Sequence, residues 1–296
     1  MKSYHGWGVA CAVAGTLAFS LRPILIKLSY AAAPVSPVTL IFLRMVLSLP
    51  FFLAVGWWLR AQEPRLSGAD WAKIAGLGLI GYYLASFLDF LGLQYVSAGL
   101  GRLVLFLYPT IVLVLSALFL KKPIRARDAA ALGVSYVGIA LVVSGAIGHN
   151  PNLPLGAALV FAGGAMYAVY LVGGTQLIHR VGVLRFSAWA LTVSCLCAIV
   201  QFLALRPLSA LALPIEVYVL AFLMATGCTV LPVFMSSEAL RRIGANHVAL
   251  LGALGPVSTV FLGWIGLDET LSPLQGVGGA LVLAGVILVS VKPARG

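Results

Sequence analysis

Ten apolar stretches, each about long enough to cross a bilayer as a helix, set the limits on what this chain can become. They run at roughly 6–27, 37–59, 71–93, 98–120, 127–146, 154–177, 185–205, 215–236, 245–267 and 273–291. A spanning helix needs ~20 mostly apolar residues, and each stretch supplies them. A membrane strand needs only ~9–11 residues with period-two alternation, and no such alternation is present, so a barrel is excluded. Hydrophobic residues make up 61% of the chain and charged residues 9%, far from the ~25% charged of a soluble domain. The reading is an all-α polytopic membrane protein.

The charges that remain are placed, not scattered. A net charge of +11 suits a nucleic-acid binder only if the basic residues cluster on a soluble domain, and here they sit in short gaps between apolar stretches. With the N-terminus in the cytoplasm, the gaps on that side hold fourteen lysines and arginines, among them Arg60, Arg65, Lys121, Arg180 and Arg185. The opposite side holds two, Lys27 and Arg206. The positive-inside rule therefore predicts both termini in the cytoplasm of a cell whose inner (plasma) membrane carries the protein. The basic start followed by an apolar run is read as a retained first helix, since Arg22 interrupts it and nine more spans follow. Cys11, Cys195, Cys197 and Cys228 all fall in apolar stretches, and the two-residue spacing of 195 and 197 suits neither a zinc pair nor a redox motif, so they read as small packing residues.

The two halves of the sequence repeat. Pro109 aligns with Pro256 and Gly138 with Gly285, both 147 residues apart. A weaker match sets Ala14–Leu28 against Phe161–Thr175. Five helices per half is an odd number, so the second copy enters the membrane inverted, as in many secondary transporters. The expected division is residues 1–148 and 149–296.

The stretches SPVTLIFLRMVLSLP and LGLQYVSAGLGRLVLFLYPTIVLVLSALFLKKPIRARDAAALGVSYVGIALVV in the first half resemble the EamA domain of the drug/metabolite transporter superfamily. So does ALRRIGANHVALLGALGPVSTVFLGWIGLDETLSPLQGVGGALVLAGVILVS in the second. Leu43–Arg44 and the run from Asp268 and Glu269 to Gln275 and Gly276 carry much of the likeness. The first half departs from it where Lys122 stands in place of Glu269. The resemblance implies a ten-helix basket with a central cavity lined mainly by helices 1, 3, 4, 6, 8 and 9. It also implies transport of small metabolites such as amino acids, nucleotide sugars or triose phosphates.

Charges inside the spans are the natural functional candidates, because a cation in hydrocarbon is shielded, paired or functional. Arg22, Lys27, Arg44, Asp89 and Arg102 fall at one level of the first half. Two readings stand: long arginines snorkel outward or pair with Asp89, Glu216, Asp268 and Glu269, or some face the cavity and draw in a carboxylate or phosphate. Arg102 is the substrate-binding candidate among them. Arg22, Lys27 and Asp89 are candidates for gating or coupling, with Asp89 either a proton carrier or a fixed ion-pair partner. Pro109 and Pro256 are candidate pivots.

Aromatic residues recur on the helices expected to line the cavity: Trp7, Phe19, Tyr82, Tyr83, Phe87, Phe90, Phe106, Tyr108, Tyr167, Tyr170, Phe222, Phe234 and Trp264. Of these Tyr82, Tyr108, Tyr167 and Tyr170, with Ser86 one turn from Tyr82, are the expected substrate contacts. Asn246 and His247 read as a cap or inner gate of the ninth helix. The dense glycines of the tenth helix, Gly276, Gly278 and Gly279, read as packing.

Nothing points to an enzyme. There is no phosphate-binding GxxxxGK[ST] loop, the four histidines lack metal-ligand spacing, and neither a metal nor a cofactor is expected. A channel lacks its filter-like repeat. The expectation is a secondary transporter that exports an amino acid. Phosphorylated or carboxylated metabolites are the second choice of substrate, and a non-transporting scaffold or sensor is the alternative of another class. Its partners are the bilayer and a small molecule, with no nucleic acid, and a monomer suffices.

Overall fold

The computed structural model describes residues 2–62, 64–121, 124, 126–144, 151–270 and 272–290, and all regular structure in them is helical. We number the spans α1 to α10. The first is broken, Lys2–Ser20 then Arg22–Ala32, and α2 is Pro37–Trp58. α3 consists of Gly68–Gly78, a π-helical turn at Leu79–Leu84, and Ala85–Gly92. α4 is Ala98–Leu105 and Tyr108–Leu120, α5 Ala126–Ser144, α6 Leu153–Val181 and α7 Val183–Leu205. α8 starts with Ile215–Ala225 and a second π-helical turn at Thr226–Val230. It continues to a kink at Gly244 (φ 75°), beyond which α9 runs to Gly252 and then through Leu254–Leu267. α10 is Pro273–Ser290.

Eight of the described helices are long and apolar enough to cross a membrane, and Leu254–Leu267 and Pro273–Leu288 are shorter apolar helices. The ten stretches read from the sequence thus appear as ten helices. One boundary moves. The first span continues five residues past Lys27, to Ala32, because no proline or polar cluster stops it before Pro34. Lys27 therefore sits more than a turn inside the helix and not at its end.

Local chemistry explains where the helices start and break. Ser36, Ser67 and Ser97 accept hydrogen bonds from the amides of Thr39, Asp70 and Leu100, capping α2, α3 and α4. Asp70 returns a carboxylate to the Ser67 amide, completing a reciprocal cap. The breaks in α1, α4 and α9 each lie within three residues before a proline: Pro23, Pro109 and Pro256. Proline has no N–H for the carbonyl four residues back and its ring crowds that carbonyl. The freed carbonyl of Leu105 lies where α6 carries Gly164, whose added Cβ would come within 3.3 Å of it.

The helices interleave. α1 packs on α8 and α9, α6 on α3 and α4, α2 on α7, and α5 on α10. The last crossing brings backbone against backbone. An added Cβ on Gly138 would lie 2.6 Å from the Gly278 carbonyl oxygen, and one on Gly278 2.5 Å from the Gly138 oxygen. One on Gly285 would lie 2.6 Å from the Ala131 oxygen. Without a hydrophobic drive between helices in lipid, such close contact is what holds them. The outer surface is apolar, with Trp58, Phe119, Leu118 and Ile215 well exposed to the surroundings. The interior contains Phe52, Phe90, Phe186 and Phe202 together with the guanidiniums of Arg22, Arg44, Arg102 and Arg185.

Candidate substrate site

The break in α1 is the floor of the candidate site. Ser20, the last residue before it, donates from Oγ to the carbonyls of Thr16 (2.7 Å) and Gly255 (3.0 Å). Its own carbonyl accepts from Thr259 Oγ1 at 3.1 Å. The interruptions of α1 and α9 are thereby tied together by side-chain hydroxyls.

Arg22 follows the break and is buried. Its Nη2 lies 2.7 Å from Asp89 Oδ2 on the last segment of α3, and Asp89 is buried too. The guanidinium also lies over the Phe19 ring, 4.6 Å from its centroid. Arg102, on the first segment of α4, lies over the same ring at 4.3 Å. Beside it α9 carries Gly255, where an added Cβ would come within 3.6 Å of Arg102 Nη2. Arg44, from α2, lies over Phe90 at 4.9 Å, and its one hydrogen bond goes to the Met45 sulfur at 3.9 Å. The three arginines and Asp89 are close enough to act on one another electrostatically.

One acid serves three buried cations. Arg102 is 6% exposed and Arg44 2%, and neither makes an ion pair among the described residues. The Nε atoms of Arg22, Arg44 and Arg102 are buried without a partner. A cation–π contact returns about 0.5–2 kcal/mol, short of the several kcal/mol that desolvating a charge costs. Arg102 therefore does not snorkel, and it does not use the outer acids. Glu216 and Asp268 are exposed, and Glu269 is engaged elsewhere: its two oxygens accept the amides of Ala98 (2.8 Å) and Gly99 (3.2 Å) at the start of α4. Lys27 is half-buried with Glu269 as its nearby opposite charge.

Next to the arginines stands a cluster of tyrosines. Tyr108 and Tyr167 have ring centroids 5.2 Å apart, Tyr167 and Tyr170 5.9 Å, and Tyr82 and Tyr170 4.8 Å. Phe106 joins Tyr108 at 6.0 Å and Phe186 stacks on Tyr170 at 5.2 Å. The hydroxyls of Tyr170 and Ser187 are 3.3 Å apart. Tyr108 and Tyr167 are the rings whose hydroxyls feel Arg102, so cage and cation adjoin. Ser86 is buried on α3 between Tyr82 and Asp89 in sequence. The structure thus brings Tyr82, Ser86, Arg102, Tyr108, Tyr167 and Tyr170 into one neighbourhood, with Arg22 and Asp89 at its edge.

Other expectations do not fit. Trp7, Phe222 and Trp264, expected on the cavity wall, are more than half exposed on the outer surface; counting aromatics on a helix does not say which face they take. Phe90 lies under Arg44 in the packed core, not on a wall. His247 Nδ1 lies 2.8 Å from the Ile243 carbonyl, whereas the side chain of Asn246 lies outside the described residues. Ser20, Thr259 and Gly255 were not singled out by sequence; their signal was proximity to Pro23 and Pro256. The free cysteines form no disulfide among the described residues.

The model of the EamA-like transporter family matches residues 6–144 and again 154–291. The chain belongs to the EamA-like transporter family. Similar members include the uncharacterized transporter YcbK of Bacillus subtilis, 30% identical with 89% of this chain and 86% of that protein covered. Protein PecM of Dickeya dadantii is 28% identical over 66% of this chain and 65% of its own. A solved crystal structure shares the fold, with a TM-score of 0.65, 18% identity and 95% of each chain covered. EamA-like proteins are transporters, and this chain is a multi-pass membrane transporter of a small solute. No group of three or more His, Cys, Asp or Glu among its described residues is placed to hold a metal.

Proposed function

We propose that this chain exports an amino acid, with aromatic or hydrophobic side chains accepted, across the inner (plasma) membrane by alternating access. One observation carries the reading: Arg102 is a buried guanidinium with no acid of its own, set against a cage of four tyrosines. A substrate carboxylate supplies the missing counter-charge, and planar arginine nitrogens suit it in a bidentate pair. Tyr82, Tyr108, Tyr167 and Tyr170 take the side chain, and Ser86 offers a hydroxyl. Arg22 is already neutralised by Asp89, so the pair acts as a coupling element that opens or holds as the helices move, with Lys27 behind it.

Alternation arises in this reading from two inverted repeats, 1–148 and 149–296, with both termini cytoplasmic. Features recurring 147 residues apart support it. The π-helical turns begin at Leu79 and Thr226, and Lys121 and Asp268 both end their helices in the left-handed conformation, at φ 52° and 53°. The α5–α10 crossing sets Gly138 on Gly278 and Gly285 on Ala131. Pro109 and Pro256 then serve as paired pivots.

A second reading, a phosphorylated or multiply carboxylated metabolite, draws on the excess of three arginines over one acid. Counterflow in proteoliposomes separates the two. Vesicles holding wild-type protein and preloaded with unlabelled amino acids should accumulate trace labelled amino acid. Arg102→Ala should lose ~10²-fold or more in initial rate, the equivalent of about 3 kcal/mol for a charge-assisted bidentate contact, with Arg102→Lys intermediate. Flux for phosphorylated metabolites alone would move the reading to the second class. Flux undiminished in a folded Arg102→Ala would remove Arg102 from the substrate.

A further inference from the structure

At the end of the bundle opposite Lys27 a second set of arginines surrounds an open space. The α2–α3 linker and the start of α7 enclose a cavity of about 320 Å³, lined by Arg60, Arg65, Trp71, Arg185 and Trp189 with Ala61 and Leu66. Arg185 is its fixed wall. It is 3% exposed, and its Nη1 donates to the carbonyls of Gln62 and Pro64, both at 2.8 Å. Nη2 donates to the carbonyl of Arg60 at 3.3 Å. These bonds engage the linker backbone through dipoles and not counter-ions, and Arg185 makes no ion pair among the described residues. Its Nε and the Trp189 indole nitrogen are buried with no partner.

The acids that the structure describes nearby are taken. Asp70 caps α3 through Ser67 and pairs with Arg180; Glu63, in the linker, lies outside the described residues. Arg60 lies over Trp57 at 3.5 Å; Trp57 and Trp58, at the end of α2, and Trp71, on the cavity wall, are exposed. Exposed indoles at a helix end mark the headgroup level of a bilayer. Basic pockets at this level between spanning helices receive anionic headgroups.

We infer that this cavity is a binding site for a phosphate group, and that the phosphate is that of an anionic phospholipid such as phosphatidylglycerol. Arg60 reaches it from the exposed side where Arg65 also lines the cavity, Arg185 supplies charge from the buried side, and the indoles of Trp71 and Trp189 form its wall. The site is separate from the arginine–tyrosine site and does not depend on what is transported. Bound there, the headgroup joins the α2–α3 linker to α7.

The test uses the full-length protein in nanodiscs of phosphatidylcholine with increasing phosphatidylglycerol, read by thermal unfolding. Wild type should gain stability that saturates at low phosphatidylglycerol content. Arg60→Gln with Arg65→Gln, which leaves Arg185 and its carbonyls intact, should need about tenfold more lipid for the same shift. Lys121→Gln with Arg127→Gln removes two charges at the same end but outside the cavity, and should behave as wild type. Equal weakening in both double variants means general surface attraction and overturns the site. So does a shift that never saturates, or no shift. Inorganic phosphate or glycerol 3-phosphate added to phosphatidylcholine discs distinguishes the source: equal stabilisation at millimolar concentration overturns the lipid assignment in favour of a soluble phosphate.

Discussion

α4 and α9 share a backbone and differ in chemistry. Each is interrupted just before a proline, each ends in a left-handed residue, and each meets the first helix of the opposite half at the interruption. Where α1 meets α9, the contact is Ser20 against Gly255. The corresponding positions 147 residues away are Tyr167 and Tyr108, whose rings pack at 5.2 Å. The buried charges around Arg102 are more one-sided still. At the same offset, Arg22, Arg44, Asp89 and Arg102 face Val169, Leu191, Ser236 and Ala249. The backbone breaks are present in both halves, whereas the buried charges around Arg102 are confined to the first.

The contrast predicts unequal responses to equal changes. Asp89→Asn leaves Arg22 buried without its counter-charge and should cost about 3–5 kcal/mol, while Ser236→Ala at the matching position should cost less than about 1 kcal/mol. Thermal unfolding in one detergent measures both, and similar losses would break the assignment of charge to one half. Gly138→Ala and Gly285→Ala press a methyl onto facing backbone in the α5–α10 crossing, and each should lose roughly 1–3 kcal/mol. Here equality is the expected result; a large loss in one and none in the other would break the match between the crossings. The smallest effect is a gain. Lys121→Gly and Asp268→Gly relieve a left-handed conformation that a side chain disfavours, and each should add up to about 1 kcal/mol.

Much of the frame is legible in the sequence because hydrocarbon demands only length and apolarity. The ten stretches appear as helices, and Pro23, Pro109 and Pro256 mark breaks. The π-helical turn in α3 carried no signal, since Leu79–Leu84 reads as ordinary apolar helix. The one in α8, Thr226–Val230, ends two residues before Pro232, a proline inside a span that itself predicts a kink or an unwound turn. Side-chain direction was the other blind spot. Tyr82, Tyr108, Tyr167 and Tyr170 converge, but Trp7, Phe222 and Trp264, chosen on the same grounds, turn outward. Arg185 was one of many basic residues in the count that set orientation. That it is buried, gathering three carbonyls from a linker more than a hundred residues earlier, follows from packing that no local pattern encodes.

The carboxylate of Glu269 on the amides of Ala98 and Gly99 has a meaning for how the chain is made. Synthesis runs from the N-terminus, and early helices enter the membrane before late ones exist. When α4 is inserted, the first two amides of a helix that carries a bare arginine have no cap, and none arrives until about 170 residues later. The segment that places Arg102 thus gains this cap only after the ninth helix has been made.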